Sequence, residues 1–157
     1  WIALSLILPS NRKGNKSIFY HLVGLFILVV IQIIYGAFVA GLKAGRIYKT
    51  WPKMGEQWIP ESVFLDPGAG YQFIHRTLAL IIVAFTFYIW QKGKKIELSK
   101  LQNQSLNILP TIVSLQTLLG ILTLIMIAPI SLALTHQIIA FLLLISLVFN
   151  LAIFKQS

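Results

Sequence analysis

The sequence contains no cysteine, few acidic residues and little charge of any kind. Without cysteine, disulfides, thiolate metal sites and cysteine nucleophiles are excluded, and redox usage says nothing about the compartment. Only 11% of the residues are charged, against roughly one quarter in a soluble domain, whereas 57% are hydrophobic. These proportions indicate that water is not the main solvent of this chain.

Four long apolar runs lack any Asp, Glu or Lys. They cover residues 18–42, 71–90, 108–127 and 130–154. Each has 20 or more residues and, at about 1.5 Å per residue, can cross a hydrocarbon core about 30 Å thick. The predicted fold class is therefore an all-α membrane protein, a four-helix transmembrane bundle.

The first residues are apolar but too few to span a membrane. Residues 1–8 have no initiating Met and no positively charged leader of the kind that a signal peptide needs. We interpret them as the end of a preceding transmembrane helix. Residues 1–157 are then expected to be the C-terminal four-helix bundle of a larger protein.

Basic residues cluster in two loops that contain almost no acid, and they determine the predicted orientation. The residues are Arg12, Lys13 and Lys16 before the first span, Lys92, Lys94, Lys95 and Lys100 after the second, and Lys155 at the end. An excess of Lys and Arg marks the cytoplasmic side, so loop 43–70 is predicted to lie outside. This distribution favours the lipid bilayer over nucleic acid as the partner. The absence of a visible transit segment favours the inner membrane of a bacterium over a mitochondrion.

Loop 43–70 is too long and too rich in Trp, Pro and Gly to be a simple connector. Tyr48, Trp51, Trp58 and Phe64 predict a folded cap at the membrane interface, where aromatic side chains are enriched. The loop is therefore a candidate functional segment.

Proline and small residues predict how the spans begin and pack. Pro110 falls near the predicted start of the third span, where a missing N–H costs little. In the first span, Gly36 with Ala40, and Ala37 with Gly41, form small-xxx-small pairs that let helix backbones approach closely in lipid.

A short pattern recurs in the first and third spans. Gln32-x3-Gly36 matches Gln116-x3-Gly120, and each of these spans is followed by one with a His near its start. Two helix pairs with the same arrangement of these residues would form a four-helix bundle with a pseudo-twofold axis. We expect the two glutamines to join helices by hydrogen bonds rather than to contact a ligand.

Two of the three histidines fall at similar depth in the predicted outer leaflet. His75 and His136 each precede an alanine by four residues, at Ala79 and Ala140, so a small side chain lies one turn away on the same face. Two neutral imidazoles with small neighbours are what a flat macrocycle such as heme needs around its iron. The alternative is that each His is simply hydrogen-bonded near a helix end. Two His without a nearby acid or Cys fall short of a typical zinc site.

The remaining candidates near a helix end have simpler alternatives. Arg76, at the outer end of the second span, is predicted either to snorkel to the interface or to pair with an anionic group such as a heme propionate. His21 lies near the inner end of the first span and is predicted to be interfacial.

Taken in order, several segments resemble the C-terminal half of heme A synthase, the cytochrome oxidase assembly family. The segments are Gly-Ala-Phe-Val-Ala-Gly-Leu-Lys-Ala-Gly at 36–45, Tyr-Lys-Thr-Trp-Pro-Lys-Met at 48–54, Gln-Phe-Ile-His-Arg-Thr-Leu-Ala at 72–79, Gln116-x3-Gly120-Ile-Leu-Thr123, and Leu-Thr-His-Gln at 134–137. The resemblance runs over nearly the whole chain, and its glycine-rich segment joined to a Trp-Pro-x-Met loop is its most specific part.

The resemblance implies an eight-helix protein of two similar bundles that oxidises the methyl group of heme O to the formyl group of heme A. The N-terminal bundle would handle heme O, and the C-terminal bundle would hold a heme B cofactor. Carried onto this sequence, the axial ligands of the heme iron are His75 and His136, with Arg76 as a further cofactor contact. Heme O synthase and an electron donor or acceptor are the implied partners, and homo-oligomerisation is left open.

The chain departs from the family pattern in what it lacks. It has no first bundle, and its acids, Glu56, Glu61, Asp66 and Glu97, all fall in predicted loops. We therefore expect no heme O oxidation by this chain alone, and no catalytic residue is assigned. The alternatives are a membrane cytochrome b that passes electrons from quinol, and a heme-free assembly scaffold.

Overall fold

The computed structural model describes residues 14–155, and this part of the chain is helical with no strand. Its helices are α1 (Lys16–Gly41), α2 (Ser62–Leu65), α3 (Pro67–Gly93), α4 (Lys100–Ile125) and α5 (Ile130–Phe154), with a 3₁₀ turn at Ala44–Arg46. Four of them, α1, α3, α4 and α5, are long and apolar enough to cross a membrane. The prediction of an all-α membrane protein with four spans is confirmed. Residues 1–8, Arg12 and Lys13 lie outside the described residues.

Polar caps define where three of the long helices begin. The Asn15 side chain accepts a hydrogen bond from the Ile18 N–H at 3.0 Å. Asp66 accepts from the N–H groups of Gly68 and Ala69, and Pro67 occupies the first helical position. Because these caps satisfy N–H groups that have no intrahelical partner, α3 begins earlier than hydropathy alone predicted.

The third span also starts earlier than predicted, and this changes the position of its proline. Ser99 and Gln102 form a reciprocal capping box, so α4 begins at Lys100 rather than at residue 108. The prediction that Pro110 lies near a helix start is therefore wrong, since it lies inside α4. The first turns of α4 carry Gln102 and Ser105, which are polar but buried, so an apolar-run criterion does not detect them.

The four long helices form a ring in the order α1, α3, α4, α5, in which each packs mainly against its two neighbours. Consequently α1 lies diagonally across from α4, and α3 lies diagonally across from α5. The buried apolar side chains concentrate in the first half of α1 and α4 and the second half of α3 and α5, which is one end of the bundle. They include Ile18, Leu22, Leu25, Ile89, Leu106, Leu109, Leu147 and Phe154.

The other end of the bundle is covered by loop 43–70, which is folded. The Tyr48 hydroxyl and the Ser62 hydroxyl are 2.6 Å apart, and the Met54 N–H donates to the Gln57 carbonyl at 2.8 Å. The buried Gln72 amide of α3 exchanges two hydrogen bonds with the Tyr48 backbone. The loop is thereby held onto the start of α3, next to the residues predicted to form the site.

Candidate functional site

A cavity of about 700 Å³ lies between the four long helices at the end covered by loop 43–70. Cofactor and ligand pockets of roughly 300–1,000 Å³ are common in proteins, so this cavity can hold a large organic group. Its floor is formed by one buried residue from each long helix, Val29, Ile82, Val113 and Leu143. The bundle is therefore packed at one end and hollow at the other.

Both predicted histidine ligands line this cavity. His75 projects from α3 and His136 from α5, the two helices that lie diagonally across the ring. Ala79 and Ala140 line the cavity as well, as their spacing from the histidines predicted. The structure thus brings the two imidazoles to one space from opposite sides, and both are only half-buried.

Glycines on the neighbouring helices make room for the imidazole rings. A Cβ atom at Gly36 of α1 would lie 3.0 Å from Cε1 of His75, and one at Gly120 of α4 would lie 2.9 Å from Cε1 of His136. Such distances are too short for a relaxed carbon contact. Gly36 therefore contacts an imidazole ring, whereas a Cβ at Gly41 would meet nothing within 4 Å.

A glutamine contacts each histidine and joins two helices. The Gln32 amide nitrogen lies 3.4 Å from Nε2 of His75 and donates to the His75 carbonyl at 3.0 Å, linking α1 to α3. The Gln116 amide nitrogen lies 3.2 Å from Nε2 of His136, linking α4 to α5. The expected interhelical hydrogen bonds are present, and in both helix pairs the repeated Gln-x3-Gly pattern places a glutamine and a glycine against one histidine ring. Only Gln32 also bonds the histidine carbonyl.

Several buried polar atoms at this site have no hydrogen-bond partner within residues 14–155. They are Nδ1 of His75, Nδ1 of His136, Oε1 of Gln32, Oε1 of Gln116 and Nε of Arg76. Buried polar atoms are usually satisfied, so their concentration around one cavity makes it the candidate ligand site of the described residues. The same part of the chain contains no cluster of three or more His, Cys, Asp or Glu. Two imidazoles are sufficient when a macrocycle supplies the remaining ligands, but they are too few for a typical zinc site.

Arg76 lies at the cavity wall and donates to the folded loop. Its guanidinium group donates to the Tyr48 carbonyl at 2.6 Å, to the Thr50 carbonyl at 3.0 Å and to the Lys53 carbonyl at 3.4 Å. One side chain of α3 therefore holds three carbonyls of the loop, a role that the sequence did not indicate. His21 lies at the opposite end of the bundle, where Nζ of Lys92 is 3.4 Å from its Nε2.

Two basic residues at the cavity were not among the predicted site residues. Lys43 and Arg46 line it from the loop side, and neither makes a side-chain hydrogen bond or ion pair with the residues that the structure describes. The sequence could have pointed to them, because both bases lie in the glycine-rich segment at the end of the first span. Together with Arg76 they make the loop end of the cavity basic.

Comparison with known proteins places the chain close to one family. The model of a family described as cytochrome oxidase assembly protein matches residues 1–148. A heme A synthase of Flavobacterium johnsoniae is 40% identical over 164 residues, which cover 96% of this chain and 48% of that relative. A heme A synthase of Flavobacterium psychrophilum is 36% identical, over 99% of this chain and 49% of the relative. The heme A synthase of Paracoccus denitrificans is 32% identical, over 88% of this chain and 40% of the relative.

The chain spans about half the length of the curated relatives that it matches. No solved structure matches it.

The contacts of Arg76 predict that its removal loosens the loop. We expect Arg76→Leu to raise hydrogen exchange at residues 48–55 by about tenfold or more, because three hydrogen bonds from a charged donor are lost. Hydrogen-exchange mass spectrometry of the chain in detergent measures this. Arg46→Leu is the matched control, since the Arg46 side chain has no such bond, and equal exchange in the two variants would contradict the role given to Arg76.

Proposed function

Because the chain belongs to the cytochrome oxidase assembly protein family, we propose that it is the C-terminal, heme B-binding half of a heme A synthase. The observation that carries this proposal is the pair of imidazoles in one cavity, on α3 and α5, diagonally across the ring. His75 and His136 would bind the heme iron from its two faces, and the porphyrin would occupy the cavity between the helices. The described residues fit this group in donor number and in space.

When bound, heme supplies an iron centre that cycles between oxidation states, with a potential that its ligands and burial adjust. The contribution of this chain is to position and shield that centre. Gly36 and Gly120 leave space for the imidazole edges. The apolar floor at Val29, Ile82 and Val113 keeps water from the packed end of the bundle.

The charges around the cavity support one orientation of the heme. Lys43, Arg46 and Arg76 line its loop end, and none of its described lining residues is acidic. Heme carries propionate groups along one edge, and carboxylates pair favourably with Lys and Arg. The propionates would therefore face loop 43–70, with Arg76 contacting them while it holds the loop.

The complete reaction would require the remainder of the protein. The acids of this chain, Glu56, Glu61, Asp66 and Glu97, all lie outside its membrane-spanning helices, so no carboxylate reaches the cavity from within a span. Oxidation of the heme O methyl group to a formyl group would take place with the half that this chain does not cover. Heme O synthase and an electron donor or acceptor would be its partners.

The proposed location is a bacterial inner membrane, with loop 43–70 outside. It is supported by the four helices that can span a membrane and by the bases at the packed end of the bundle, including Lys92, Lys94 and Lys95. An excess of Lys and Arg is typical of cytoplasmic loops.

A membrane cytochrome b that carries electrons from quinol is the second candidate, because the same histidine pair would serve it. Product analysis separates the two. A longer protein carrying this sequence, expressed with a source of heme O, is expected to accumulate heme A, as measured by chromatography of extracted hemes. Heme B binding without any heme A would favour the cytochrome.

We expect the purified chain to bind heme B at one heme per chain and to give the low-spin optical and electron paramagnetic resonance signals of two imidazole ligands. His75→Ala and His136→Ala should each abolish that signal, because each removes one axial ligand. His21→Ala is the matched control and should retain it, since His21 lies at the other end of the bundle. No stoichiometric heme, or a signal indifferent to both cavity substitutions, would favour the heme-free scaffold.

The space beside His136 predicts a second effect on binding. Gly120→Leu should lower the apparent affinity for heme B by about tenfold or more, because even a Cβ atom there would lie 2.9 Å from the ring. Titration of the chain with heme B measures the change. Gly41→Leu adds the same side chain in open space on α1 and should bind heme as the parent chain does, whereas equal loss in both variants would count against the steric role of Gly120.

A further inference from the structure

The hydrogen bonds at the two histidines define which ring nitrogen carries the proton. An amide nitrogen only donates, so Nε2 of His75 accepts from Gln32 and Nε2 of His136 accepts from Gln116. A neutral imidazole that accepts at Nε2 carries its proton at Nδ1. The contacts therefore correspond to one tautomer of each ring.

The orientation of the Gln32 amide is determined by a second contact. Its nitrogen donates to the His75 carbonyl oxygen at 3.0 Å, and a carbonyl oxygen can pair only with the NH₂ end of the amide. Turning the amide over would place two oxygens against each other and lose that bond. The same nitrogen therefore faces Nε2 of His75. The amide nitrogen of Gln116 lies against Nε2 of His136 in the same way, without a second bond to a carbonyl among the described residues.

Each glutamine contacts its histidine ring through the side-chain amide at Nε2, and the backbone of the same residue also acts on the ring. Nδ1 of His75 and Nδ1 of His136 are buried and make no hydrogen bond to another side chain in this part of the protein, so no side chain opposes the effect of the glutamine amide. One hydrogen bond of ordinary strength changes a tautomer ratio by about fivefold. Gln32 and Gln116 are thus in a position to select the tautomer.

We propose that Gln32 and Gln116 are positioning residues that hold His75 and His136 with the proton on Nδ1 and the lone pair on Nε2. This inference rests on the proposed heme-binding function, because that tautomer presents an unprotonated nitrogen to iron. The amide and the iron use the same lone pair, so the amide leaves Nε2 when iron binds. Gln32 keeps its bond to the His75 carbonyl at that moment, whereas Gln116 gives up its bond to the ring.

The test uses the heme-free chain in lipid nanodiscs with isotope-labelled histidine, at alkaline pH where imidazole is neutral. Nitrogen nuclear magnetic resonance distinguishes protonated from unprotonated ring nitrogens, and the His75→Ala and His136→Ala chains assign the signals. Two variants, Gln32→Met and Gln116→Met, retain the side-chain length but remove the hydrogen-bond donor. If either of them misfolds, the corresponding Leu variant, Gln32→Leu or Gln116→Leu, takes its place. Gln137→Met is the matched control, because Gln137 also lines the cavity but has no hydrogen bond to either histidine.

We expect the Nδ1-protonated form to dominate at both rings of the parent chain. Gln32→Met should lower the ratio of the Nδ1-protonated to the Nε2-protonated form about fivefold at His75 and leave His136 unchanged. Gln116→Met should lower the same ratio about fivefold at His136 and leave His75 unchanged. Gln137→Met should change neither. A parent chain protonated at Nε2, or ratios that the Met variants leave unchanged, would overturn the inference.

Heme titration of the parent chain separates this inference from the proposed function. If the parent chain binds no heme, the proposed function fails whatever the tautomers are. If it binds heme through both histidines while the Met variants leave the tautomers unchanged, only the role of the glutamines is overturned.

Discussion

The contact of each histidine with a glycine of the neighbouring helix is the constraint on which the site depends. Any larger residue at Gly36 or Gly120 would bring a Cβ atom to about 3 Å from an imidazole carbon. Because the glycines accept the ring edges, α1 stays close to α3 and α4 close to α5 while both imidazoles face the cavity. The packed floor, the glutamine contacts and the basic loop end are arranged around this pair.

The division of the bundle into a packed end and a hollow end has a clear energetic basis. Apolar residues from all four long helices fill the packed end, together with a buried hydrogen bond between Ser105 and Asn150. In lipid, helices associate through close packing and interhelical hydrogen bonds rather than through exclusion of water. The packed end can therefore hold the bundle together while the other end keeps space for a large group.

Loop 43–70 contributes to the site because it is anchored to the helix that carries a histidine. Arg76 follows His75 directly in α3, and its guanidinium group binds three carbonyls of the loop. Gln72, one turn earlier, binds the Tyr48 backbone. Helix α3 thus positions the His75 ring at the cavity. It also holds loop 43–70, which brings Lys43 and Arg46 to the edge of the cavity.

The sequence by itself determined the four spans and the similar depth of His75 and His136 in them, because length, hydropathy and helical spacing are local properties. The sequence did not show through hydropathy that α4 begins at Lys100, since the first turns of that helix are polar, and Gln102 is buried where it bonds Ile153 of α5. Nor could it show that Gly36 seats an imidazole, that Arg76 holds the loop or that Lys43 reaches the cavity. These contacts join residues far apart in the chain, so only the packing of the helices around one another decided them.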